Sequence, residues 1–367
     1  MIIGIVAEFN PFHAGHKYLI DTVKQPGDCV VAVMSGNFVQ RGDFAIQAKH
    51  VRARRALENG ADLVVELPTP IATMSAEGFC ENAVRLLGDM GCVDTLCFGA
   101  EDADTAQLRQ TARVLNRAGF MQSVTEKMSA EGISFPAARR IIADSPILDK
   151  PNNILAVEYL RALEKFDLHM NPCAVQRIGS GHDVLGGDRD FPSASQIRLD
   201  MIKDDYDRIC HISRCERAIL SKLRTMRTEE FLEIPDVTEG LENRIVSAVK
   251  QADSLDTLYA GIKSKRYTMS RIRRIILRAY LGITKNDMKP APYIRVLGFT
   301  QAGQQILKTM RETAVLPVIM NYAHIKKANS ECIRLFEAEC RRTDLYNLGF
   351  ADIKKCGEEM TENVIRI

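Results

Sequence analysis

The chain has 367 residues, 46 % hydrophobic and 26 % charged, and its 49 basic and 47 acidic side chains leave a formal net charge of +2. This length predicts two domains, each with its own core. The charge balance excludes a polybasic tail and an acidic disordered chain, and no apolar run approaches the roughly 18 residues of a membrane span. The ten cysteines lack zinc or redox spacing, and the first residues lack signal-peptide features. We therefore expect a cytoplasmic protein with reduced thiols.

Apolar runs alternate with helical patterns through the first 200 residues. The helical patterns cover residues 15–23, 48–57, 78–87 and 153–163. The apolar runs, which predict strands, cover residues 2–7, 29–34, 61–67 and 95–98, with a further strand within 167–176. Continuous apolar strands separated by helices predict a parallel sheet covered on both faces.

The pattern changes near residue 200. Helical periodicity then dominates, over residues 204–223, 239–252, 270–281 and 330–343. Strand signals reduce to residues 293–296 and 315–319. We therefore predict an α/β domain over 1–200 and a mainly α-helical domain over 201–367.

The near-zero net charge hides an uneven distribution. Residues 1–200 carry 20 basic and 25 acidic side chains, whereas residues 201–367 carry 29 and 22. Residues 261–330 alone hold 14 basic and 2 acidic side chains, an excess of +12. A lysine- and arginine-rich helical surface would explain this excess, but such a concentration also suits a polyanion, so it favours a nucleic-acid partner.

The first chemical motif is His-Ala-Gly-His at residues 13–16, directly after the first predicted strand and at a predicted helix start. Unpaired amides and the helix dipole favour phosphate there. Gly15 permits close approach of the backbone, and imidazoles three residues apart can hold phosphate oxygens. Partial metal ligation is the alternative, but the other five histidines offer no matching ligand set.

The second motif is Ser-Ala-Ser-Gln-Ile-Arg at residues 193–198. Hydroxyl side chains at a predicted helix start, with Arg198 in the first turn, form a second anion-binding element. An ordinary N-cap is the alternative for this motif taken alone.

Together the two motifs resemble the signatures of the HIGH-type nucleotidylyltransferase superfamily. Longer matches narrow the resemblance to the bacterial tRNA(Met) cytidine acetate ligase family. They are GIVAEFNPFHAGH (4–16), MSGNFVQRG (34–42), GADLVVELP (60–68), CFGAE (97–101), KPNNIL (150–155) and RYT (266–268). The resemblance runs from residue 1 to about residue 300. This sequence has Ser195 where the superfamily often has Thr, and Leu19 where many relatives have a third histidine, so no acid role falls at position 19.

The resemblance implies a Rossmann-like parallel-sheet nucleotidylyltransferase domain followed by a mainly α-helical, basic, tRNA-binding domain. It also implies ATP-dependent acetylation of N4 of the wobble cytidine in elongator tRNA(Met), with acetate as donor and an acetyl-adenylate intermediate. ATP would be a co-substrate. The chemistry of ATP predicts an accompanying Mg²⁺, and no carboxylate cluster in the sequence predicts a dedicated protein metal site. No membrane partner is expected, because no apolar run is long enough to span a bilayer.

The resemblance and the motifs together nominate the site residues. His13 and His16 are expected at the α- and β-phosphates, and Ser193, Ser195 and Arg198 at the leaving pyrophosphate. The expected catalytic residues are His13, His16, Ser195 and Arg198. The expected ATP-binding residues are Val6, Ala7, Glu8, Phe9, Asn10, His13, Gly15, His16, Gly99, Asn152, Asn153, Arg177, Ser193, Ser195 and Arg198. For the two asparagines, capping of a helix before Ile154 is an equal alternative.

Two groups of cations are expected to bind RNA. The first, near the site mouth, is Arg41, Lys49 and Arg52, for which solvated surface is an equal alternative. The second, in the basic segment, is Lys263, Lys265, Arg266, Arg271, Arg273 and Arg274. Tyr267 is expected either to stack on a base or to join the core.

Two other functions remain open from the sequence. A small-molecule adenylyltransferase would share both motifs but would not need a basic helical domain. A non-catalytic RNA-binding protein would not need intact His13, His16, Ser195 and Arg198.

Overall fold

A computed structural model describes residues 1–178, 192–238 and 240–367. The strands are β1 (Ile2–Ala7), β2 (Cys29–Ser35), β3 (Phe38–Val39), β4 (Asp43–Phe44), β5 (Leu63–Leu67), β6 (Thr95–Ala100), β7 (Asn171–Gln176), β8 (Ile294–Phe299), β9 (Val318–Ile319) and β10 (Ile365–Arg366).

The helices follow in chain order. They are α1 (Ala14–Val23), α2 (Lys49–Glu58), α3 (Thr69–Ala72), α4 (Ala76–Asp89), α5 (Thr105–Leu115), α6 (Phe120–Glu131), α7 (Phe135–Ala143), α8 (Pro151–Lys165), α9 (Ala194–Asp204), α10 (Glu216–Thr225), α11 (Thr228–Leu232), α12 (Leu241–Gln251), α13 (Leu255–Ile262), α14 (Met269–Leu281), α15 (Gln301–Thr313), α16 (Tyr322–Ile325), α17 (Ser330–Asn347) and α18 (Glu358–Thr361). No helix among the described residues is long and apolar enough to cross a membrane.

The main sheet has the strand order β10-β8-β5-β2-β1-β6-β7, with β9 beside β8. The pairs from β5 to β7 are parallel, as the apolar runs predicted. The central strand β1 lies between β2 and β6, so the chain order reverses at β1. In open α/β sheets, ligands bind outside the carboxyl ends of the strands at such a reversal.

Apolar side chains cover both faces of this sheet. On one face, Ile20 of α1 and Ala53 and Leu57 of α2 pack against β1, β2 and β5. On the other face, a larger core joins the sheet to α4, α5, α8 and α15. The predicted α/β fold class is confirmed.

The last seventy residues require a correction to the predicted domain division. Strand β8 is fully buried and pairs antiparallel with β5, while β9 and β10 pair with β8. Residues 201–367 are therefore not one continuous helical domain. The helices of residues 216–281 build their own core, and the chain then returns to the first sheet.

The helix predicted over 204–223 is also wrong in its centre. Helix α9 ends at Asp204 and α10 begins at Glu216. Between them, the backbone N–H of Cys210 donates to the Ile46 carbonyl, and that of His211 donates to the Gly349 carbonyl. These tertiary hydrogen bonds replace helical ones. The helix predicted over 239–252 begins at Leu241, and residue 239 lies outside the described residues.

Candidate active site

The two histidines of the first motif form the start of α1. His13 is the N-cap, and its Nδ1 accepts the backbone N–H of Gly15 at 3.1 Å. The Nδ1 of His16 accepts the backbone N–H of His13 at 3.2 Å, which completes a reciprocal capping box. Because Nδ1 acts as an acceptor in both rings, a neutral ring carries its proton on Nε2. Each Nε2–H can then donate to a phosphate oxygen.

The electrostatic environment keeps His16 neutral. Burial, helped by the charges of His13 and Arg177, lowers the pKa of His16 well below its usual value. Its ring lies edge-on to Phe9, with centroids 4.9 Å apart. A bound polyphosphate would reverse this balance, since negative charge nearby favours the imidazolium.

The loop after β1 is held by hydrogen bonds from the segment 40–46. The strand ends with Val6 and Ala7. The Glu8 carboxylate accepts the backbone N–H of Gln40 at 2.7 Å, and the Asn10 side-chain oxygen accepts that of Ile46 at 2.8 Å. Phe9 is buried and has a left-handed backbone, with φ of 46°. This loop is therefore fixed before any ligand binds.

The second motif is brought to this same loop. Ser193 is the N-cap of α9, and its hydroxyl accepts the backbone N–H of Gln196 at 3.1 Å. Arg198 donates to the Asn10 carbonyl at 2.8 Å and to the Ser195 hydroxyl at 3.0 Å. Residues 188 positions apart in sequence thus lie in contact, and the structure joins the two predicted motifs.

Gly99 and Arg177 lie at the carboxyl ends of neighbouring strands β6 and β7. A Cβ at Gly99 would stand 3.3 Å from the Arg177 side chain. The backbone N–H of Arg177 donates to the Ala100 carbonyl at 2.9 Å. Burial lowers the pKa of Arg177, and its charge acts on His16. Arg177 therefore lies close enough to the histidine pair for its charge to act on His16.

The two asparagines hold an acidic loop instead of capping their own helix. Asn152 Nδ2 donates to Glu101 at 2.5 Å, and the backbone N–H of Asn153 donates to the same carboxylate at 2.9 Å. Asn153 is fully buried and bonds Asp102 through its side-chain amide at 2.7 Å. Lys150 is the N-cap of α8, and Glu101, in the loop after β6, accepts the first backbone N–H groups of the helix. Both asparagines therefore contact the loop after β6 and help to hold it in place.

Lys49 and Arg52 require a correction, because neither can contact RNA from the surface. Lys49 is 1 % exposed and forms buried ion pairs with Glu66, at 2.7 Å, and with Glu359. Arg52 is 0 % exposed and donates to the carbonyls of Glu8 and Ser35 at 2.5 and 3.1 Å, and also to that of Gly36. Arg52 therefore joins the carboxyl ends of β1 and β2.

The cations of the basic segment divide by exposure. Lys263, Lys265 and Arg273 are exposed, and Arg266 and Arg271 are half-buried. Arg274, in contrast, is buried, with its guanidinium 3.6 Å from Asp236, so its predicted RNA contact is wrong. Tyr267 is buried in the helical core, so it joins the core, as one of its two predicted roles stated. Arg41 is half-buried in the turn between β3 and β4.

Asp43 and His211 are candidate site residues that the motifs did not indicate. Burial raises the pKa of the Asp43 carboxyl, and the nearby charges of Arg273, His211 and Arg198 oppose this rise. The preceding Gly42 packs on the backbone of Arg274 at the start of α14. Asp43 thus lies beside the basic helix α14, close enough to Arg198 for that charge to act on its carboxyl. A single carboxylate in a short hairpin has no sequence pattern that could have identified it.

Comparisons with known proteins agree with this arrangement. Residues 1–212 and 199–361 match the HIGH Nucleotidyl Transferase family. Fold, histidine pair and sequence together define a HIGH-class nucleotidyl transferase.

More specifically, the chain belongs to the tRNA(Met) cytidine acetate ligase family. It is 34 % identical to the tRNA(Met) cytidine acetate ligase of Acetivibrio thermocellus over 99 % of both chains. It is 35 % identical to that of Thermoanaerobacter sp. (strain X514) over 100 % of both.

Solved structures of Thermotoga maritima TmcAL superpose over 100 % of this chain and 99 % of theirs. The apo form gives a TM-score of 0.93 at 29 % identity. The form bound with alpha-thio ATP gives 0.90 at 28 % identity.

Proposed function

We propose that this protein is an ATP-dependent acetate ligase that forms N4-acetylcytidine at the wobble position of elongator tRNA(Met), through an acetyl-adenylate. The observation that carries the proposal is the capped pair His13–His16 at the sheet's reversal point, joined through Asn10 to Arg198. Relatives named for this reaction, and one bound with an ATP analogue, support it.

In the first step, an acetate oxygen attacks the α-phosphorus of ATP, and the bond to the β-phosphate oxygen breaks to release pyrophosphate. Acetate is ionised at neutral pH, so the site needs no base for this step. It must position the reactants and neutralise charge on the phosphates. His13 and His16 would donate from Nε2, and Ser193, Ser195 and Arg198 would hold the pyrophosphate.

In the second step, the cytidine N4 attacks the acetyl carbonyl carbon. The bond from that carbon to the phosphate oxygen breaks, AMP leaves, and N4 loses one proton. An anticodon loop suits such a reaction because its unpaired bases can leave the stack. The exposed cations Lys263, Lys265 and Arg273 would hold the phosphate backbone of the tRNA.

Mg²⁺ would enter with the triphosphate. Within residues 1–178, 192–238 and 240–367, no group of three or more histidine, cysteine or acidic side chains could hold a metal ion. The contribution of Mg²⁺ would be to neutralise phosphate charge, alongside the histidines and Arg198.

A single assay tests the proposal. Purified protein is mixed with ATP, labelled acetate and total bacterial tRNA, and the nucleoside digest is analysed for labelled N4-acetylcytidine. We expect label only when ATP and acetate are both present, with equimolar AMP and pyrophosphate.

Two results would overturn the proposal. Labelling of tRNA only from acetyl-coenzyme A would exclude an acetate ligase. Release of pyrophosphate with a phosphorylated small molecule, and none with acetate, would favour a small-molecule adenylyltransferase.

A further inference from the structure

Two cysteines face each other across the β6–β7 pair. Cys97 and Cys173 are direct partners in the parallel register. Neighbouring strands lie about 4.7–4.9 Å apart, and disulfides span Cα separations of about 4.4–6.8 Å. Both side chains contact the core between the sheet and α1, so they point to the same face. The backbone geometry therefore suits a covalent bridge between them.

An open groove gives access to this pair. The groove, of about 420 Å³, lies between α1 and the β6–β7 strands, and both cysteines contribute to its wall with Tyr18 and Thr22. Cys97 is 2 % exposed, whereas Cys173 is half-buried. A small reagent in the groove therefore reaches Cys173 first, and Cys97 lies beside it on the neighbouring strand.

The electrostatics distinguish Cys173 from other cysteines. A hydrogen bond from the Cys97 thiol lowers the pKa of Cys173, while that same bond and burial raise the pKa of Cys97. Burial raises the pKa of Cys92 to about 11 and that of Cys340 to about 12. The accessible member of the pair is thus the better nucleophile at neutral pH, because the thiolate is the reactive form.

We propose that Cys97 and Cys173 form a dithiol modification site that reacts with low-molecular-weight disulfides of the glutathione class and closes to an intramolecular disulfide. The Cys173 sulfur attacks one sulfur of the oxidised reagent, which forms a mixed disulfide and releases one reduced thiol. The Cys97 sulfur then attacks the Cys173 sulfur and releases the second. The two protein thiols lose two electrons and two protons, and the reagent gains them. The site is independent of the proposed acetate ligase activity, which uses neither thiol.

The test uses the full chain carrying Cys356→Ser, which removes an exposed thiol. The protein is incubated with oxidised glutathione, remaining thiols are alkylated in denaturant, and the intact mass and the peptides are measured. We expect a loss of two hydrogens and a crosslink between the peptides that contain Cys97 and Cys173. The matched control Cys92→Ser should form the same crosslink.

Single substitutions separate the two roles. Cys97→Ser should keep a stable glutathione adduct on Cys173, because no second thiol displaces it. Cys173→Ser should leave the buried Cys97 without adduct in the folded protein. Full alkylation of both cysteines in the parent chain, or a lasting adduct on Cys173 despite Cys97, would overturn the proposal. Thermal unfolding of each variant verifies that the chain is folded.

Discussion

The backbone N–H of His13 donates to Nδ1 of His16 at 3.2 Å, and the two imidazole centroids lie 3.8 Å apart. His16 therefore has two roles. Its Nδ1 completes the cap of α1, whereas its Nε2 can face a phosphate. Substitutions at this position can separate the two roles, because asparagine retains an acceptor for the cap and alanine does not.

We expect His16→Ala to slow acetate-dependent ATP–pyrophosphate exchange by at least about 10²-fold, the usual cost of one preorganised donor to a transition-state oxygen. His16→Asn should lose activity to a similar degree but keep thermal stability closer to that of the parent, because the cap remains. The control is His169→Ala, since His169 is exposed and lies before β7. Unchanged exchange in His16→Ala would remove this residue from the mechanism.

His50 should make folding sensitive to acid. Burial and the charge of Lys49 lower its pKa to about 3, against about 6.5 in an unfolded chain. Between these values the unfolded chain binds the proton and the folded one does not, so stability falls as pH drops below about 6.5. From pH 7 to pH 5 this costs about 2 kcal/mol.

Urea unfolding at both pH values checks this expectation. His50→Gln removes the titrating group. Between pH 7 and pH 5, the free energy of unfolding of this variant should therefore fall by about 2 kcal/mol less than that of the parent. Groups common to both proteins cancel in this comparison. Parallel pH dependence in the two proteins would contradict the prediction.

The parallel core of the fold could be predicted from the sequence because fully apolar runs have few alternatives. The strand predicted at residues 2–7 is observed as Ile2–Ala7. The strand predicted at residues 29–34 is observed as Cys29–Ser35, one residue longer. The return of β8 to the sheet could not be predicted. Its pairing with β5 joins residues more than 220 positions apart, and helices separate them.

The candidate site could be predicted where its residues lie in a local motif. It could not be predicted where burial decides the role of a residue. His13, His16 and Arg198 lie in short motifs, and the structure brings them to one loop. Lysine and arginine are residue types that usually lie at the surface. Lys49 and Arg52 are buried because they pair with groups elsewhere in the chain. Periodicity alone does not reveal such partners, because a buried charge depends on tertiary contacts.

Neighbouring arginines on α14 should differ in what their loss affects. Arg273 is exposed, so Arg273→Ala should weaken tRNA binding and reduce the slope of log affinity against log salt by about 1. Arg274 is buried beside Asp236, so Arg274→Ala should destabilise the fold. Filter binding across salt concentrations and thermal unfolding together check the pair. Equal losses of stability in both variants would contradict this division.

Substitution of Arg52 tests whether this residue holds the ends of β1 and β2 together inside the protein or binds RNA. Its guanidinium reaches the carbonyls of Glu8, Ser35 and Gly36, and the single ammonium of lysine cannot replace that geometry. Arg52→Lys should therefore lower the free energy of unfolding by roughly 2–4 kcal/mol, because buried carbonyls lose their donors.

The same substitution should raise the KM for ATP, since Glu8 belongs to the loop that leads to the histidine pair. It should leave tRNA affinity without ATP unchanged. Arg55→Lys, on the exposed side of α2, is the matched control and should change neither quantity. Weaker tRNA binding by Arg52→Lys at unchanged stability would return Arg52 to the RNA-binding set, because only a solvent-facing guanidinium could be lost without cost to the fold.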